Sequence, residues 1–197
     1  RALAEADVVT HFAKRGGNGN ARAIVEGRLK PGGVELPLHY PETTAIAKDH
    51  DVMVDVIVNH VSSTSPTFLD WLAKGADSAY DGMFLTLDGA FPDGATEADL
   101  TRIYRPRPGL PFTPYTTGDG SKRLVWTTFT PQQIDIDIHH PATRDYLLRI
   151  LDTLARAGVT QVRMDAVGYA VKTPGTTSFM TPETFVFIDE MAAWSRE

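Results

Sequence analysis

The sequence predicts an α/β protein that forms part of a parallel (β/α)8 barrel, a partial TIM barrel. Two apolar runs carry this prediction, residues 52–58 and residues 159–164, and each predicts a buried strand. The first run leads into Asn59 and His60, and the second leads into Asp165. Because a helix separates the two strands, we expect them to be parallel, with these polar groups together at the carboxyl edge of the sheet.

The start of the chain carries the weakest signal. Residues 2–14 predict a helix, and residues 34–38, which contain a proline, predict a short edge strand. Residues 41–49 predict a short helix before the first buried strand. After that strand, residues 65–75 combine a Ser-Pro helix start with a glycine that ends the helix.

The middle of the chain predicts an insertion. Residues 81–122 are rich in proline, glycine and aspartate, and the stretch far exceeds the ~12–15 residues beyond which structureless loops are uncommon. We therefore predict a small inserted subdomain after the third strand of the barrel, over residues 61–138. Residues 83–87 and 124–129 are its predicted short strands.

Regular architecture resumes after the insertion. Apolar residues recur at helical spacing between Pro141 and Leu154, and Gly158 ends this helix. The predicted division is therefore a first part of the barrel over residues 1–60, whose first forty residues are divergent, and a continuation over residues 139–197. The continuation contains the strand that ends in aspartate and the helix that follows it.

The composition is that of a soluble enzyme and does not identify one. The chain has 42% hydrophobic residues and a net charge of -6, which allows a core and excludes a nucleic-acid footprint. Without cysteine there are no disulfides, and without a membrane-length apolar run or a signal core the cytoplasm is expected. Because such a barrel typically needs ~250 residues, this chain of 197, which starts without methionine, is expected to be incomplete.

The second strand end carries a candidate nucleophile. Arg163 and Asp165 project to the same side of a strand, so the guanidinium can keep the carboxylate ionised by direct pairing. Gly168 closes the turn that follows. Considered alone, Asp165 is better interpreted as a residue that caps this turn. The second polar strand end, at His60, favours an active site instead.

Four motifs then resemble one family. Residues 58–60 (VNH) and 163–167 (RMDAV) resemble strand-end motifs of the alpha-amylase superfamily of glycoside hydrolases. Residues 103–113 (IYRPRPGLPFT) and 129–133 (FTPQQ), with the extension of the last strand-end motif through residues 165–169 (DAVGY), narrow the resemblance to the sucrose phosphorylase branch. The four motifs occur in order along the chain, which argues against a chance resemblance.

The resemblance implies glucosyl transfer with retention, in which sucrose and phosphate yield glucose 1-phosphate and fructose. It makes Asp165 the nucleophile that attacks the anomeric carbon, with Arg163 as its orienting partner. It makes His60 a hydrogen-bond donor to a glucose hydroxyl. Phe129 would present an apolar ring face to the sugar.

The resemblance also assigns the acceptor side. Arg107 matches the cation that holds inorganic phosphate, a role that suits the planar fork of arginine. Gln133 and Tyr169 match positions close to the substrate. Without the resemblance, Phe129 could equally be a core residue, and Arg105 and Arg107 could be ordinary solvated charges.

No cofactor and no metal are predicted, because this branch is metal-free and the sequence has no dense cluster of oxygen ligands. The expected partners are sucrose or a related glucoside and inorganic phosphate, with no nucleic acid and no membrane, and a homodimer is left open. The general acid of the family, in a Glu-Val-His motif on the next strand, is not present in the sequence. The family also places a loop rich in glycine and aspartate between its second strand and the helix before the Asn-His strand, and the segment between Leu38 and Pro41 lacks it.

Three hypotheses follow from these departures. The first is the front half of a sucrose phosphorylase, inactive on its own. The second is a hydrolase or transglucosidase of the same superfamily, against which Arg107 in its proline-flanked loop argues. The third is a non-catalytic fragment.

Overall fold

The computed structural model describes residues 8–14, 23–25, 44 and 47–196. Its strands are β1 (Val8–Lys14), β2 (Ala23–Val25), β3 (His50–Ile57), β4 (His60–Ser62), β5 (Phe112–Thr116), β6 (Lys122–Trp126), β7 (Gln133–Asp135) and β8 (Gln161–Asp165). Its α-helices are α1 (Pro66–Lys74), α2 (Leu87–Ala90), α3 (Glu97–Arg102), α4 (Pro141–Arg156) and α5 (Pro182–Trp194). Two short 3-10 helices cover Gly75–Asp77 and Val167–Tyr169.

The main sheet has four strands in the order β2-β1-β3-β8. Strands β3 and β8 are parallel, with Asp55 opposite Arg163 and Ile57 opposite Asp165. The two polar strand ends predicted from the sequence therefore lie side by side at the same edge of the sheet. Helix α4 precedes β8 and supplies the crossover that parallel pairing requires.

Strand β1 corrects one prediction. The sequence predicts a helix over residues 2–14, but residues 8–14 form a strand that pairs antiparallel with β3. The segment VVTHFAK contains several β-branched and aromatic residues, which favour a strand when a partner strand is available. The open edge of β3 provides that partner.

The apolar core lies between β3 and the two long helices. Alternate valines of β3, together with Val58 just after it, are buried against α4 and α5. The cluster includes Val52, Val54, Val56, Val58, Leu147, Ile150, Leu154, Phe187 and Met191. Strand β8 was predicted as buried, but none of its residues is buried, and Gln161 and Arg163 are exposed. The reason is its place as the outer strand of the described sheet.

Residues 60–138 hold two small antiparallel sheets, β4 with β7 and β5 with β6. They have a separate apolar cluster that includes Val61, Phe68, Trp71, Met83, Phe84, Val125, Ile134 and Ile136. Of the two strands predicted here, β6 overlaps residues 124–129, whereas residues 83–87 form only the isolated bridges Phe84–Ile136 and Thr86–Val125. The bounds of the inserted subdomain stay a prediction.

The predicted boundaries of helix α1 are confirmed. The Ser65 hydroxyl accepts a hydrogen bond from the Phe68 backbone N–H at 3.3 Å, and Gly75 ends the helix with φ 57°. Of the helix predicted over residues 41–49, Thr44 and Ala47 are described as helical, and residues 34–38 lie outside the described residues. Within the described ranges, no helix has both the length and the apolar character needed to cross a bilayer.

Candidate active site

Asp165 is the last residue of β8, and its side chain is 45% exposed. It accepts a hydrogen bond from Arg163 Nη2 at 2.9 Å. The other end of the same guanidinium, Nη1, donates to Asp55 Oδ2 at 2.6 Å, and the Asp55 side chain is only 11% exposed. Arg163 thus bridges two carboxylates, one in the sheet and one at its edge, and this bridge limits how Asp165 can turn.

The turn after Asp165 is tight and strained. Ala166 adopts a left-handed conformation with φ 56°, which costs an L-residue about 1 kcal/mol or more. A Cβ atom on Gly168 would come within 2.9 Å of Phe179 Cε2 and 3.0 Å of Met180 Sδ, so only glycine fits there without a shift. This turn directs the chain through Tyr169 beside the candidate nucleophile.

His60 begins β4 and is 4% exposed. Its Nε2 atom lies 2.9 Å from Gln133 Nε2, and its Nδ1 atom lies 3.3 Å from Asn59 Nδ2. Burial lowers the pKa of His60 below its ordinary value; the nearby charges have smaller effects, with Asp135 and Asp165 raising the pKa and Lys172 lowering it. The imidazole is therefore mainly neutral at neutral pH.

An aromatic wall extends from His60. The Phe129 ring lies 5.3 Å from the His60 ring and 5.1 Å from the Tyr169 ring. Tyr169 in turn packs against Phe179 at 4.6 Å and stacks on Tyr104 at 6.1 Å. The structure thus brings together three of the residues predicted from the sequence and adds Tyr104 and Phe179, which the sequence analysis did not select.

Arg105 organises the loop that carries Arg107. Its guanidinium donates to Leu110 O at 2.6 Å and to Thr128 O at 3.1 Å, so it ties the proline-rich loop to the segment before Phe129. Arg105 is therefore a structural anchor and not a solvated charge. Arg107 is exposed, and across the described residues no hydrogen bond or ion pair links it to another predicted site residue.

Lys172 is a buried cation that no sequence motif indicates. Its ammonium lies 2.7 Å from Asp135 Oδ2 and 2.7 Å from Asn59 Oδ1, and it also donates to the Tyr169 carbonyl. Asp135 is fully buried and also accepts from Thr128, through N–H at 3.0 Å and through the hydroxyl at 2.5 Å. Burial lowers the pKa of Lys172, and Asp135 opposes this shift. No local pattern marks Lys172, because its two side-chain partners, Asn59 and Asp135, are far away in the sequence.

Three other acidic groups near the site are held in ion pairs. Asp55 pairs with Arg163, and Asp135 pairs with Lys172. On α5, Glu190 pairs with Arg144 at 2.8 Å. Among the described residues, no group of histidine, aspartate and glutamate side chains could hold a metal ion.

No protein-family model matches the chain. Individual known proteins are nevertheless similar to it in sequence and in fold. Sucrose phosphorylase of Bifidobacterium adolescentis is 51% identical over 152 residues, which cover 77% of this chain and 30% of that enzyme. Sucrose phosphorylase of Agrobacterium vitis is 42% identical over 219 aligned positions, which cover 96% of this chain and 45% of that enzyme. The second alignment is longer than this chain, so that relative has residues without a counterpart here.

Solved structures are also similar to this fold. The crystal structure of sucrose 6F-phosphate phosphorylase from Thermoanaerobacter thermosaccharolyticum has a TM-score of 0.73 and 36% identity, and the match covers 78% of this chain and 34% of that one. Isomaltulose synthase from Klebsiella has a TM-score of 0.62 at 20% identity, which shows the fold alone.

The described part of the chain is thus a mixed α/β fold whose solved neighbours are TIM-barrel enzymes of the alpha-amylase family. More narrowly, the chain is a homologue of the sucrose phosphorylases. It spans 30% and 45% of the length of the two relatives described above.

Proposed function

We propose that this chain forms the nucleophile side of a retaining glucosyl phosphorylase that acts on sucrose. The observation that carries the proposal is the Asp165 carboxylate at the strand edge, held by Arg163 next to His60 and the aromatic wall. A half-exposed carboxylate with one charged partner leaves an oxygen open to a ligand. The neighbouring rings supply an apolar surface suited to the C–H face of a pyranose.

The chemistry would proceed by double displacement. An Asp165 oxygen attacks the anomeric carbon, the bond to the fructose oxygen breaks, and a covalent glucosyl-enzyme forms. Attack by phosphate on that intermediate releases glucose 1-phosphate with retained configuration. The leaving oxygen needs a proton from a second carboxylic acid about 5–5.5 Å from the first.

Phosphate as the acceptor is supported by the relatives. Besides the sucrose phosphorylases, they include a glucosylglycerol phosphorylase of Marinobacter adhaerens at 34% identity. Their names share phosphorolysis and differ in the group that leaves. Arg107 is our candidate for the phosphate contact, because the Arg105 anchor holds its loop in place and its own guanidinium is exposed.

Sucrose as the glucosyl donor is supported by the two sucrose phosphorylases, at 51% and 42% identity. The cytoplasmic location, the homodimer and the bounds of the inserted subdomain stay predictions.

A chimera tests the proposal. Residues 47–196 of this chain would replace the aligned segment of the Bifidobacterium adolescentis enzyme, and glucose 1-phosphate and free glucose would be measured with sucrose and phosphate. We expect phosphate-dependent formation of glucose 1-phosphate. A folded chimera that releases only glucose, at a rate independent of phosphate, would instead support a hydrolase, and a folded chimera without turnover would support a non-catalytic segment.

A further inference from the structure

Asn59 and Gln133 each place a side-chain amide nitrogen against a ring nitrogen of His60, and both amides cannot donate a hydrogen bond to the ring. Asn59 Nδ2 lies 3.3 Å from His60 Nδ1, and Gln133 Nε2 lies 2.9 Å from His60 Nε2. A neutral imidazole has one N–H donor and one acceptor nitrogen. It can therefore accept from one of these amides only, and the other must present its oxygen.

Asn59 cannot be the amide that turns. Its Oδ1 atom lies 2.7 Å from Lys172 Nζ, which has only donors to offer. Turning the amide would place an N–H against the ammonium. The three protons of that ammonium are also matched by three oxygens, those of Asp135, Asn59 and the Tyr169 backbone carbonyl.

Gln133 is free to turn. Its Oε1 atom lies 2.9 Å from the Thr130 hydroxyl, a group that can donate or accept by rotating. The two ends of a glutamine amide have nearly the same shape, so the hydrogen-bond network decides their assignment. When Gln133 turns, Nε2 donates to Thr130 and Oε1 accepts from His60.

We propose that Lys172 sets the tautomer of His60, through the fixed amide of Asn59, so that Nδ1 is the acceptor and Nε2 carries the proton. Lys172 is then a positioning residue, since it acts through Asn59 and does not touch the reacting atoms. The other charges that face His60 are Asp135 on β7 and Asp165 on β8. The first is already paired with Lys172 and the second with Arg163.

The consequence for substrate binding rests on the proposed function. An Nε2–H on the side of Gln133 and Phe129 would donate to a sugar hydroxyl that enters beside Asp165 and takes the place of the Gln133 oxygen. A proton on Nδ1 would point instead toward Asn59, which is fully buried, and away from the side on which the sugar enters. The tautomer itself does not depend on the identity of the substrate.

The tautomer can be measured on this chain by nitrogen-15 NMR of labelled histidine, because a protonated ring nitrogen and an unprotonated one resonate far apart. The chain has six histidines, and His60→Gln identifies the signals of His60. We expect unprotonated Nδ1 and protonated Nε2 at neutral pH. A proton on Nδ1 in the unaltered chain would overturn the proposal.

Two substitutions distinguish an effect of Lys172 on the His60 tautomer, acting through Asn59, from a simple packing effect. In Asn59→Asp a carboxylate replaces the amide N–H beside Nδ1, so the Nδ1 proton should appear while the Lys172 contact is kept. In Lys172→Met the Asn59 amide can turn, and both tautomers should appear. The matched control is Lys74→Met, at an exposed surface ion pair, which should leave His60 unchanged.

Each outcome decides the proposal. Persistence of the original tautomer in folded Asn59→Asp, or in folded Lys172→Met, means that Lys172 does not set it. If Lys172→Met does not fold, the Asn59→Asp spectrum and that of the unaltered chain still decide. Loss of phosphorolysis in the chimera with the expected tautomer would count against the proposed function alone.

Discussion

Arg163 and Lys172 show how single residues hold the candidate site together. Each is a cation with one partner in the sheet or the insertion and another at the strand edge: Arg163 joins Asp55 to Asp165, and Lys172 joins Asp135 to Asn59. Exposed ion pairs contribute little to stability, whereas buried charges are costly unless paired. Arg163, whose side chain is 55% exposed, should therefore matter more for geometry than for the free energy of folding. Loss of Lys172 would also destabilise the fold, because it would leave the Asp135 carboxylate buried without its cation.

The first prediction concerns the nucleophile. In the chimera, Asp165→Asn should abolish trapping of a glucosyl-enzyme and lower turnover by several orders of magnitude, since an amide cannot form the covalent intermediate. Mass spectrometry of the protein quenched during turnover checks this. Asp152→Asn, at an exposed pair with Arg156, is the control and should react normally. Near-normal turnover by Asp165→Asn would show that Asp165 is not the nucleophile.

The second prediction concerns Arg107. Arg107→Ala in the chimera should weaken phosphorolysis roughly ten- to hundredfold, because a charge-assisted contact is worth about 1.5–3 kcal/mol. Hydrolysis of sucrose should change much less. Comparing the initial rates of glucose 1-phosphate and glucose formation checks this, with the exposed Arg149→Ala as control. Equal losses on both routes would make Arg107 a structural residue.

The third prediction follows from the lowered pKa of His60, whose ordinary value is 6.5. The folded state binds fewer protons than the unfolded state in this range, so the free energy of unfolding should fall as the pH drops below 6.5 toward the folded pKa. Urea titrations of the chain across this range check this. His60→Gln should reduce the pH dependence, and exposed His139→Gln should not; equal slopes in both variants would contradict it.

At the scale of elements, the parallel register of β3 and β8 and the strained turn after Asp165 place the site. The register sets Asp55 beside Arg163 and brings the Asn59-His60 segment beside Asp165. The turn then packs Gly168 against Phe179 and Met180. Both features belong to backbone geometry, so a substitution that crowds the turn should act on several site residues at once.

The fourth prediction tests this turn. Gly168→Ala should lower the free energy of unfolding by about 1–3 kcal/mol, because the added Cβ meets Phe179 Cε2 at 2.9 Å. Phe179→Leu removes that contact atom, so the double variant should lose less than the sum of the single losses. Denaturant unfolding of the four proteins checks this. Strict additivity would show that Phe179 is not what restricts Gly168.

At the scale of the whole molecule, the chain matches only part of each relative, 30% of one and 45% of another. Large apolar side chains of α5 are exposed, Phe185 at 51% and Val186 at 58%. Strand β8 lies at the outer edge of the described sheet. In the barrel fold, further strands and helices cover such surfaces.

The fifth prediction concerns the chain by itself. With sucrose and phosphate, the 197-residue chain should form glucose 1-phosphate at least ~10²-fold more slowly than the chimera, because general acid help typically contributes 10²–10⁴-fold. In the described part of the site, the carboxylates of Asp55 and Asp135 are held in ion pairs and cannot serve as that acid. Rates equal to those of the chimera would direct a search to Glu183 and Glu190.

The sequence by itself determined the elements and the motifs. Periodicity predicted β3, β8 and α4, the Ser-Pro and glycine signals predicted α1, and the polar strand ends predicted where Asp165 and His60 meet. These features depend on neighbours within a few positions, since caps, turns and apolar spacing are local.

Only the tertiary structure decided which distant groups pair. It made residues 8–14 a strand by offering them the edge of β3, and it left β8, as an outer strand, without a buried residue. It also placed Lys172 between Asn59 and Asp135, two partners that no local pattern connects to it. A buried charge is stable only where the fold brings oxygens to it from several segments, so its role follows from the long-range packing of the chain.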